Sequence, residues 1–373
     1  MTAETHRIAI IGLGLIGGSL GLALKAARLR GVELVGYDRD SETRTKARRI
    51  GAIDREARDV AEAVSGASMV IVATPILAIR EVLREAAPHL TEGSVVTDTG
   101  STKAAVLGWA RELLPSGVHF VGGHPMAGKE TQGIDHAEAG LFRERAYCLC
   151  PDPDADERAV RTVLGLVHAV GATPLFIDPE EHDQYVAAVS HLPLVLATAL
   201  FTLVRGSTGW QEMAPLAASG FRDTTRLASG DPEMSHDICI TNREALLHWL
   251  DRMIGELYRY RRLIAEGGAE LFETFARAQL DRDAFLSRKV VGREQPQVEL
   301  PDFKDALVSL FIGRAVSERM RKLTELPEKP AEAGGRPSRE DRTTRLARLF
   351  RERLERDLQR ELDKDQGPAP PRG

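Results

Sequence analysis

The fold is decided near the start of the chain, where residues 8–17 read Ile-Ala-Ile-Ile-Gly-Leu-Gly-Leu-Ile-Gly. An apolar run with the length of a buried strand leads directly into the spacing Gly-x-Gly-x-x-Gly, and a helical pattern follows. In such a turn Gly12 permits a sharp change of direction, Gly14 lets a pyrophosphate approach the backbone, and Gly17 lets the helix pack closely on the strand. Backbone N–H groups at the start of the helix then face the anion. We therefore expect the six residues of the turn to bind a dinucleotide: Gly12, Leu13, Gly14, Leu15, Ile16 and Gly17.

An acidic residue follows at the position where a dinucleotide site needs one. Asp38 ends the second predicted strand, about 20 residues after Gly17. A carboxylate at this place hydrogen-bonds the ribose hydroxyls of adenosine and repels a 2′-phosphate, which favours NAD over NADP. Arg39 beside it leaves NADP open, because an arginine accommodates that phosphate. NAD is the expected cofactor, with Asp38 and Arg39 at its adenosine end.

Short apolar runs alternate with helical patterns up to about residue 177, and these runs predict the strands of one sheet. The strands cover residues 7–11, 33–37, 69–73, 94–97, 118–121, 147–150 and 173–177. Strands joined by helices form a mainly parallel sheet covered on both faces, so residues 1–178 are predicted to be a Rossmann-type, doubly wound α/β domain. Ligands of such sheets bind beyond the carboxyl ends of the strands. Five further residues at this edge are expected to line the cofactor site: Thr74, Pro75, Asp98, Thr99 and Ser101.

The rest of the chain differs in composition. Residues 179–292 show only helical periodicity, which predicts an all-α domain. Residues 186–204 within it carry no formal charge, but Pro193 interrupts them, and we interpret them as a buried helix rather than a membrane span. Residues 293–373 hold 18 Lys or Arg and 16 Asp or Glu, which marks a charged tail that is partly disordered and partly helical, with helices predicted at 302–322 and 338–365.

Composition also indicates where the protein is located and which classes of partner it is not expected to bind. A formal net charge of −5 provides no basic field for nucleic acid or an acidic membrane. An odd number of cysteines and a start that runs directly into the first strand predict a reducing cytoplasm. The spacing Cys148-Leu149-Cys150 is not a common zinc spacing, and no metal is expected.

One segment carries residues suited to acid–base chemistry. It reads Gly122-Gly123-His124-Pro125-Met126-Ala127-Gly128 and follows the fifth predicted strand directly. Glycines let a ligand approach the backbone, and proline fixes the direction of the chain. A histidine in a turn at this edge of the sheet is suited to act as a general base near neutral pH, and we expect this of His124. The alternative is a hydrogen-bonded core histidine.

Together with further segments, this stretch makes the sequence resemble the prephenate/arogenate dehydrogenase family over residues 7 to about 290. The other matching segments are Asp98-Thr99-Gly100-Ser101-Thr102-Lys103, His182-Asp183, Ser190-His191-Leu192-Pro193 and Gly220-Phe221-Arg222-Asp223-Thr224-Thr225-Arg226. The resemblance implies NAD-dependent oxidation and decarboxylation of prephenate to 4-hydroxyphenylpyruvate, or of arogenate to tyrosine. It also implies a homodimer joined through the helical domain.

The resemblance assigns roles to single residues. His124 is similar to the base that takes the proton of the C4 hydroxyl, and Ser101 to the partner that orients it. Arg226 is similar to a cation that holds a substrate carboxylate, and His191 to a histidine near the substrate side chain. Glu130 is expected to gate or polarise the pocket. Lys129, which stands where the family commonly has a small hydroxyl residue, is expected to attract a substrate carboxylate or to face solvent.

Other functions stay open on the sequence. Leu194 departs from the family pattern, which often has histidine there, and the choice between prephenate and arogenate is therefore open. A dehydrogenase for an amino-substituted prephenate would present an amine to His124. A β-hydroxyacid dehydrogenase would need a catalytic lysine in the helical domain, which holds only Lys289. An NAD-sensing protein whose tail recruits a partner is the alternative outside enzymes.

Overall fold

The computed structural model describes residues 6–129 and 131–287. The described chain divides into two compact units, residues 6–182 and residues 183–287. The domain limits expected from the sequence remain predictions. The expected tail helices at 302–322 and 338–365 lie outside the described residues, and so does Glu130.

The first unit is built on one sheet of eight strands. These are β1 (His6–Ile11), β2 (Val32–Tyr37), β3 (Arg55–Glu56), β4 (Met69–Val72), β5 (Val95–Asp98), β6 (His119–Pro125), β7 (Ala146–Pro151) and β8 (Thr173–Phe176). Their order is β3-β2-β1-β4-β5-β6-β7-β8, and every neighbouring pair is parallel except β6 and β7. The predicted doubly wound, mainly parallel sheet is confirmed, and β3 is the strand that the sequence missed because it is only two residues long.

Six helices connect the strands of this sheet. They are α1 (Leu15–Ala26), α2 (Ser41–Arg49), α3 (Val60–Val64), α4 (Ile76–Ala86), α5 (Ala104–Leu113) and α6 (Glu157–Ala169). Apolar side chains of the central strands pack with those of α1 and α6 into one core, for example Ile10 and Met69 with Leu20 and Val163. Strand order reverses between β1 and β4, and at such a switch point the loops after the two strands separate and leave a crevice for a ligand.

Strand β6 extends farther than the sequence predicted. The prediction ended this strand at residue 121 and placed His124 in the following turn, and this is wrong. The register pairs Val121 with Thr97 of β5, and β6 then continues to Pro125 because the antiparallel β7 supplies hydrogen-bonding partners. His124 is consequently held directly opposite Cys148, beyond the point where β5 ends.

The connection from β6 to β7 folds back on the helix that follows the glycine turn. Atoms of Ile134 and Ala137 lie 2.4 and 3.0 Å from the place where a side chain at Gly18 would begin. The backbone N–H of Glu138 donates to the hydroxyl of Ser19 on α1 at 2.9 Å. The strand that ends near His124 is therefore tied, through this connection, to the helix that opens the dinucleotide turn.

The second unit is helical, and α7 runs across the boundary between the units. The α-helices from this boundary onward, with one π-helical turn, are α7 (Pro179–Val186), the π-helical turn (Ala187–His191), α8 (Leu192–Arg205), α9 (Trp210–Met213), α10 (Ser219–Thr225), α11 (Pro232–Thr241), α12 (Arg243–Glu266) and α13 (Ala269–Leu286). Pro193 lies in the first turn of α8, where a proline needs no backbone hydrogen bond.

Much of the apolar surface of the helical unit is uncovered in the single chain. Helix α13 has no buried residue, and Leu203 of α8 and Phe272 of α13 are each 76% exposed. The helical segment Pro179–Arg205 is long and apolar enough to span a membrane, a test that a core helix also passes. The sequence predicted a buried helix at residues 186–204, whereas the single chain buries only five of them: Val186, Ala187, His191, Leu192 and Ala197.

Candidate active site

The glycine turn after β1 has the shape of a dinucleotide cradle. Gly12 has a φ of +90°, and a Cβ there would lie 2.6 Å from the carbonyl oxygen of Ala73. A Cβ at Gly17 would lie 1.9 Å from the carbonyl oxygen of Gly12, so helix and turn are in direct contact. No atom lies within 4 Å of a Cβ placed on Gly14, and the start of α1 is thus open to a ligand. These residues fit a pyrophosphate.

The carboxylate of Asp38 holds this turn in place. Its Oδ2 accepts the backbone N–H of Leu13 at 2.8 Å, and its Oδ1 accepts the N–H of Asp40 at 3.0 Å. The side chain of Leu13 is buried in the core, and Leu15 and Ile16 pack against that core. Arg39 is exposed next to Asp38. The structure thus joins the end of β2 to the glycine turn, as an adenosine site requires.

The loops after β4 and β5 supply the other predicted cofactor residues. Pro75 precedes α4, and the Thr74 methyl carbon lies 3.0 Å from the position of a Cβ at Gly12. The backbone N–H of Thr99 donates to Val72 of β4 at 3.1 Å, and the side chains of Thr99 and Ser101 are half-buried. Thr74 therefore borders the glycine turn directly.

Asp98 is the exception among these residues. Its carboxylate is completely buried and contacts the ammonium group of Lys103, which is buried as well. The same carboxylate accepts the backbone N–H groups of Gly100 and Gly123. This side chain is thus engaged by the protein itself.

His124 lies against a second histidine, for which no role was predicted. Its Nδ1 is 2.9 Å from Nε2 of His182, and the two rings meet edge to face with centroids 5.1 Å apart. Both side chains are buried, His124 with 8% and His182 with 1% of its surface exposed. The partner found at this nitrogen is His182. The orienting role that the family resemblance implies for Ser101 remains a prediction. His182 belongs to the His-Asp segment of the family pattern, but nothing in the sequence shows that residues 58 positions apart meet.

Neighbouring side chains are poor carriers of a proton at neutral pH. Burial raises the pKa of the Cys148 thiol to about 11, although the charge of Lys103 opposes the shift. Burial, the charge of Asp98 and Cys148 together raise the pKa of Tyr147 far above its usual range. Imidazoles titrate near neutral pH, so the histidine pair is the part of this strand end suited to acid–base chemistry.

Three further residues were predicted for the site: Lys129, His191 and Arg226. Lys129, on the β6–β7 connection, has its Nζ 2.9 Å from Oε2 of Glu138, so its charge is balanced locally. In the helical unit His191 is completely buried, and its Nδ1 is 3.1 Å from Nδ2 of Asn242. Arg226 is exposed at the end of α10. Within residues 6–129 and 131–287 no group of three or more His, Cys, Asp or Glu side chains is arranged to hold a metal ion.

Sheet order, glycine turn and acidic residue define a dinucleotide-binding protein with a Rossmann-type domain. A family model described as prephenate dehydrogenase, nucleotide-binding domain, matches residues 20–175, and one described as prephenate dehydrogenase, dimerization domain, matches residues 178–277. The chain is also 37% identical to a prephenate dehydrogenase of Bacillus subtilis over 295 residues, which cover 78% of each chain. The chain belongs to the prephenate dehydrogenase family.

Other relatives differ in the substrate that their names give. A cyclohexadienyl dehydrogenase of Zymomonas mobilis is 35% identical over 76% of this chain and 96% of its own. The structure resembles that of arogenate dehydrogenase from Synechocystis with a TM-score of 0.64 and 34% identity, over 75% of this chain and 99% of that one. It resembles prephenate dehydrogenase from A. aeolicus in complex with hydroxyphenyl propionate and NAD⁺ with a TM-score of 0.71 and 29% identity, over 76% and 100%.

Proposed function

We propose that this protein is an NAD-dependent prephenate dehydrogenase, which converts prephenate to 4-hydroxyphenylpyruvate and CO₂ in tyrosine biosynthesis. The observation that carries the proposal is the buried pair of His124 and His182 at the end of β6, in the same unit as an open dinucleotide turn. Membership of the family supports the choice of reaction. Bound NAD⁺ supplies a hydride acceptor for C4 of the substrate ring.

The protein's own part in this reaction is the movement of one proton. As C4 loses hydride, its hydroxyl becomes a carbonyl, and His124 takes the hydroxyl proton. Loss of the ring carboxylate as CO₂ returns an electron pair to the ring, which becomes an aromatic phenolate. The phenolate oxygen then takes a proton back, so His124 is neutral again at the end of the cycle.

The histidine pair sets the direction of this transfer. A hydrogen bond between two imidazole nitrogens needs a proton on one of them and a lone pair on the other. If Nδ1 of His124 holds the proton and donates to Nε2 of His182, then Nε2 of His124 keeps the lone pair that a base requires. His182 is a positioning residue in this proposal, and His124 is the catalytic base.

Other residues are proposed to bind the two ligands. Asp38 and Arg39 hold the adenosine end of NAD, and Ser101 lies near the nicotinamide. Arg226 presents a guanidinium suited to grip a substrate carboxylate with two hydrogen bonds. His191 is proposed to act near the substrate side chain. Lys129 is assigned a weaker part, because Glu138 already balances its charge.

We further propose a cytoplasmic homodimer joined through the helical unit, with a small molecule as substrate and without nucleic acid or membrane as partners. The uncovered apolar side chains of α8 and α13 support this assembly, because such a surface is unfavourable in water. The description of the matching family model as a dimerization domain supports it as well.

A single assay tests the function. NADH formation is followed with prephenate and arogenate in parallel, each with NAD⁺ and with NADP⁺. We expect a higher kcat/KM with prephenate and NAD⁺. Preference for arogenate would move the proposal to the activity named for the Synechocystis protein, which Leu194 leaves open. Turnover of neither substrate would contradict the proposal.

A further inference from the structure

One buried carboxylate connects the two segments that carry the proposed catalytic machinery. Oδ1 of Asp98 accepts the backbone N–H of Gly123 at 3.1 Å, and Oδ2 accepts that of Gly100 at 2.8 Å. Gly123 directly precedes His124, and Gly100 directly precedes Ser101. The side chain at the end of β5 thus fixes the backbone of both segments at once.

Lys103 completes this arrangement from the start of α5. Its ammonium group contacts Oδ2 of Asp98, and neither side chain is exposed to any measurable extent. Both oxygens of the carboxylate thus accept hydrogen bonds, and Oδ2 accepts one from Gly100 besides its contact with Lys103. The cation of Lys103 compensates the charge of the carboxylate in this buried position.

Glycines in β6 make room for the pair. A Cβ on Gly122 would lie 2.7 Å from a methyl carbon of Leu107 and 3.3 Å from Cδ of Lys103. A Cβ on Gly123 would lie 2.6 Å from the carbonyl oxygen of Asp98. The strand before His124 and the turn at residues 98–103 therefore fit together only with glycine at position 123, where the close atom belongs to the backbone.

Stability alone is a weak reason for such a pair. Two charges lose their hydration on burial, and apolar residues of similar volume are often as stable or more stable. The pair also lies close to the proposed base, because Asp98 accepts the backbone N–H of Gly123, the residue before His124. The position of the pair thus points to the reaction.

We propose that Asp98 and Lys103 are positioning residues of the dehydrogenase reaction. Asp98 sets the distance between the His124 strand and the Ser101 turn, and Lys103 holds the carboxylate in place. The inference rests on the proposed function, since it concerns the geometry of that site.

The test compares Asp98→Asn, Lys103→Met and the double variant. Asparagine has a single acceptor oxygen, so one of the two backbone N–H groups loses its partner in both Asn-containing variants. We expect kcat to fall at least about tenfold in both, since small misplacements of catalytic groups are costly. The Kd for NADH should stay within about threefold, because the glycine turn is unchanged. The double variant, which buries no charge, should regain much of the Tm that the single variants lose, but not their kcat.

Two comparisons separate this role from plain stability. Arg161→Met removes a half-buried ion pair with Glu157 on α6, and we expect it to lower Tm and leave kcat unchanged. If Asp98→Asn does not fold, Lys103→Gln carries the test, because it keeps a donor to Asp98 without the charge and should retain more activity than the double variant. A double variant with wild-type kcat, or losses of kcat that follow Tm across all variants, would overturn the proposal.

Hydrogen–deuterium exchange provides a readout that does not depend on turnover. Peptides covering residues 98–104 and 119–126 should exchange faster in the double variant than in the wild type, because the amide of Gly100 or Gly123 loses its acceptor. Unchanged exchange in both peptides would also overturn the positioning role. A wild-type protein without activity on any ring substrate would instead refute the proposed function and leave this measurement valid.

Discussion

The histidine pair is the residue-scale feature on which the proposed chemistry depends. His124 comes from the end of a strand and His182 from the first turns of α7, and both are held in a buried setting. Burial excludes bulk water from the pair, so the hydrogen bond between the rings sets which nitrogen carries the proton. Substitutions at the two positions should therefore have different consequences.

His124→Asn should remove the base and leave the cofactor site intact. We expect kcat to fall by about 100-fold or more, which is the usual contribution of general-base catalysis, with an unchanged Kd for NADH. Steady-state kinetics and fluorescence titration measure the two quantities. His168→Asn on the exposed side of α6 is the matched control and should behave as the wild type. A kcat for His124→Asn close to that of the control would remove His124 as the base.

His182 should be replaceable in part by a side chain that accepts a hydrogen bond. The amide oxygen of His182→Gln can accept the proton of His124 Nδ1, whereas His182→Phe cannot. We expect the phenylalanine variant to lose at least about tenfold in kcat, with a partial recovery in the glutamine variant. The pH profile of kcat/KM should also shift in the phenylalanine variant, because His124 loses its partner. Equal activity and equal profiles in both variants would show that His182 only fills space.

At the scale of elements, one glycine of the turn before α1 is open to a ligand, and another lets the turn and the helix pack closely. Gly14 borders open space, whereas Gly17 touches the backbone of Gly12. The same residue type thus has a proposed binding role at one position and a packing role three residues later. The spacing of the glycines predicted the same two roles, and the structure adds the distances.

Gly14→Ala should therefore weaken cofactor binding, whereas Gly17→Ala should lower thermal stability. A methyl group at Gly14 meets no protein atom, so we expect an unchanged Tm and a Kd for NADH raised at least about tenfold by contact with the pyrophosphate. A methyl group at Gly17 would lie 1.9 Å from a carbonyl oxygen, so we expect a lower Tm. Thermal unfolding and NADH titration measure both effects. The division of roles is wrong if the two variants lose stability equally.

Part of the arrangement of these elements could be predicted from the sequence. The glycine turn and the alternation of strands with helices follow from local patterns and spacing. The extension of β6 and the short β3 do not, because they depend on pairing with β7 and β2. The contacts of His124 with His182 and of Asp98 with Lys103 were missed for a related reason. Each motif could be recognised in the sequence. A pattern within one segment, however, does not show which side chain of another segment contacts that motif.

On the scale of the whole molecule, the sheet unit has a buried apolar core, whereas the helical unit leaves large apolar side chains exposed. The core of the sheet unit is continuous and its central strands are buried, whereas α12 and α13 expose Leu257, Ile264, Phe272 and Leu280 to solvent in the single chain. An apolar surface of this kind needs a partner of similar character. A second copy of the helical unit is the partner we propose.

A charge on this surface should separate the proposed dimer. We expect Leu203→Glu and Phe272→Glu to shift the protein towards a monomer, because each would bury an unpaired carboxylate in the assembly. Light scattering after size-exclusion chromatography measures the mass in solution. Ile50→Glu, at an exposed apolar residue of the sheet unit, is the control and should leave the mass unchanged. A wild-type protein that elutes as a monomer would contradict the proposed assembly outright.

The two outer strands of the sheet have a consequence for how copies of the protein meet. Strand β3 has two residues, and the side chain of Arg55 forms ion pairs with Glu33 and Glu62 along that margin. At the opposite margin β8 has four residues, one of which is Pro174 and donates no hydrogen bond. Margins this short, charged or proline-bearing offer little template for an added strand. The sheet is thus protected from growing edge to edge into larger aggregates, and association is left to the helices.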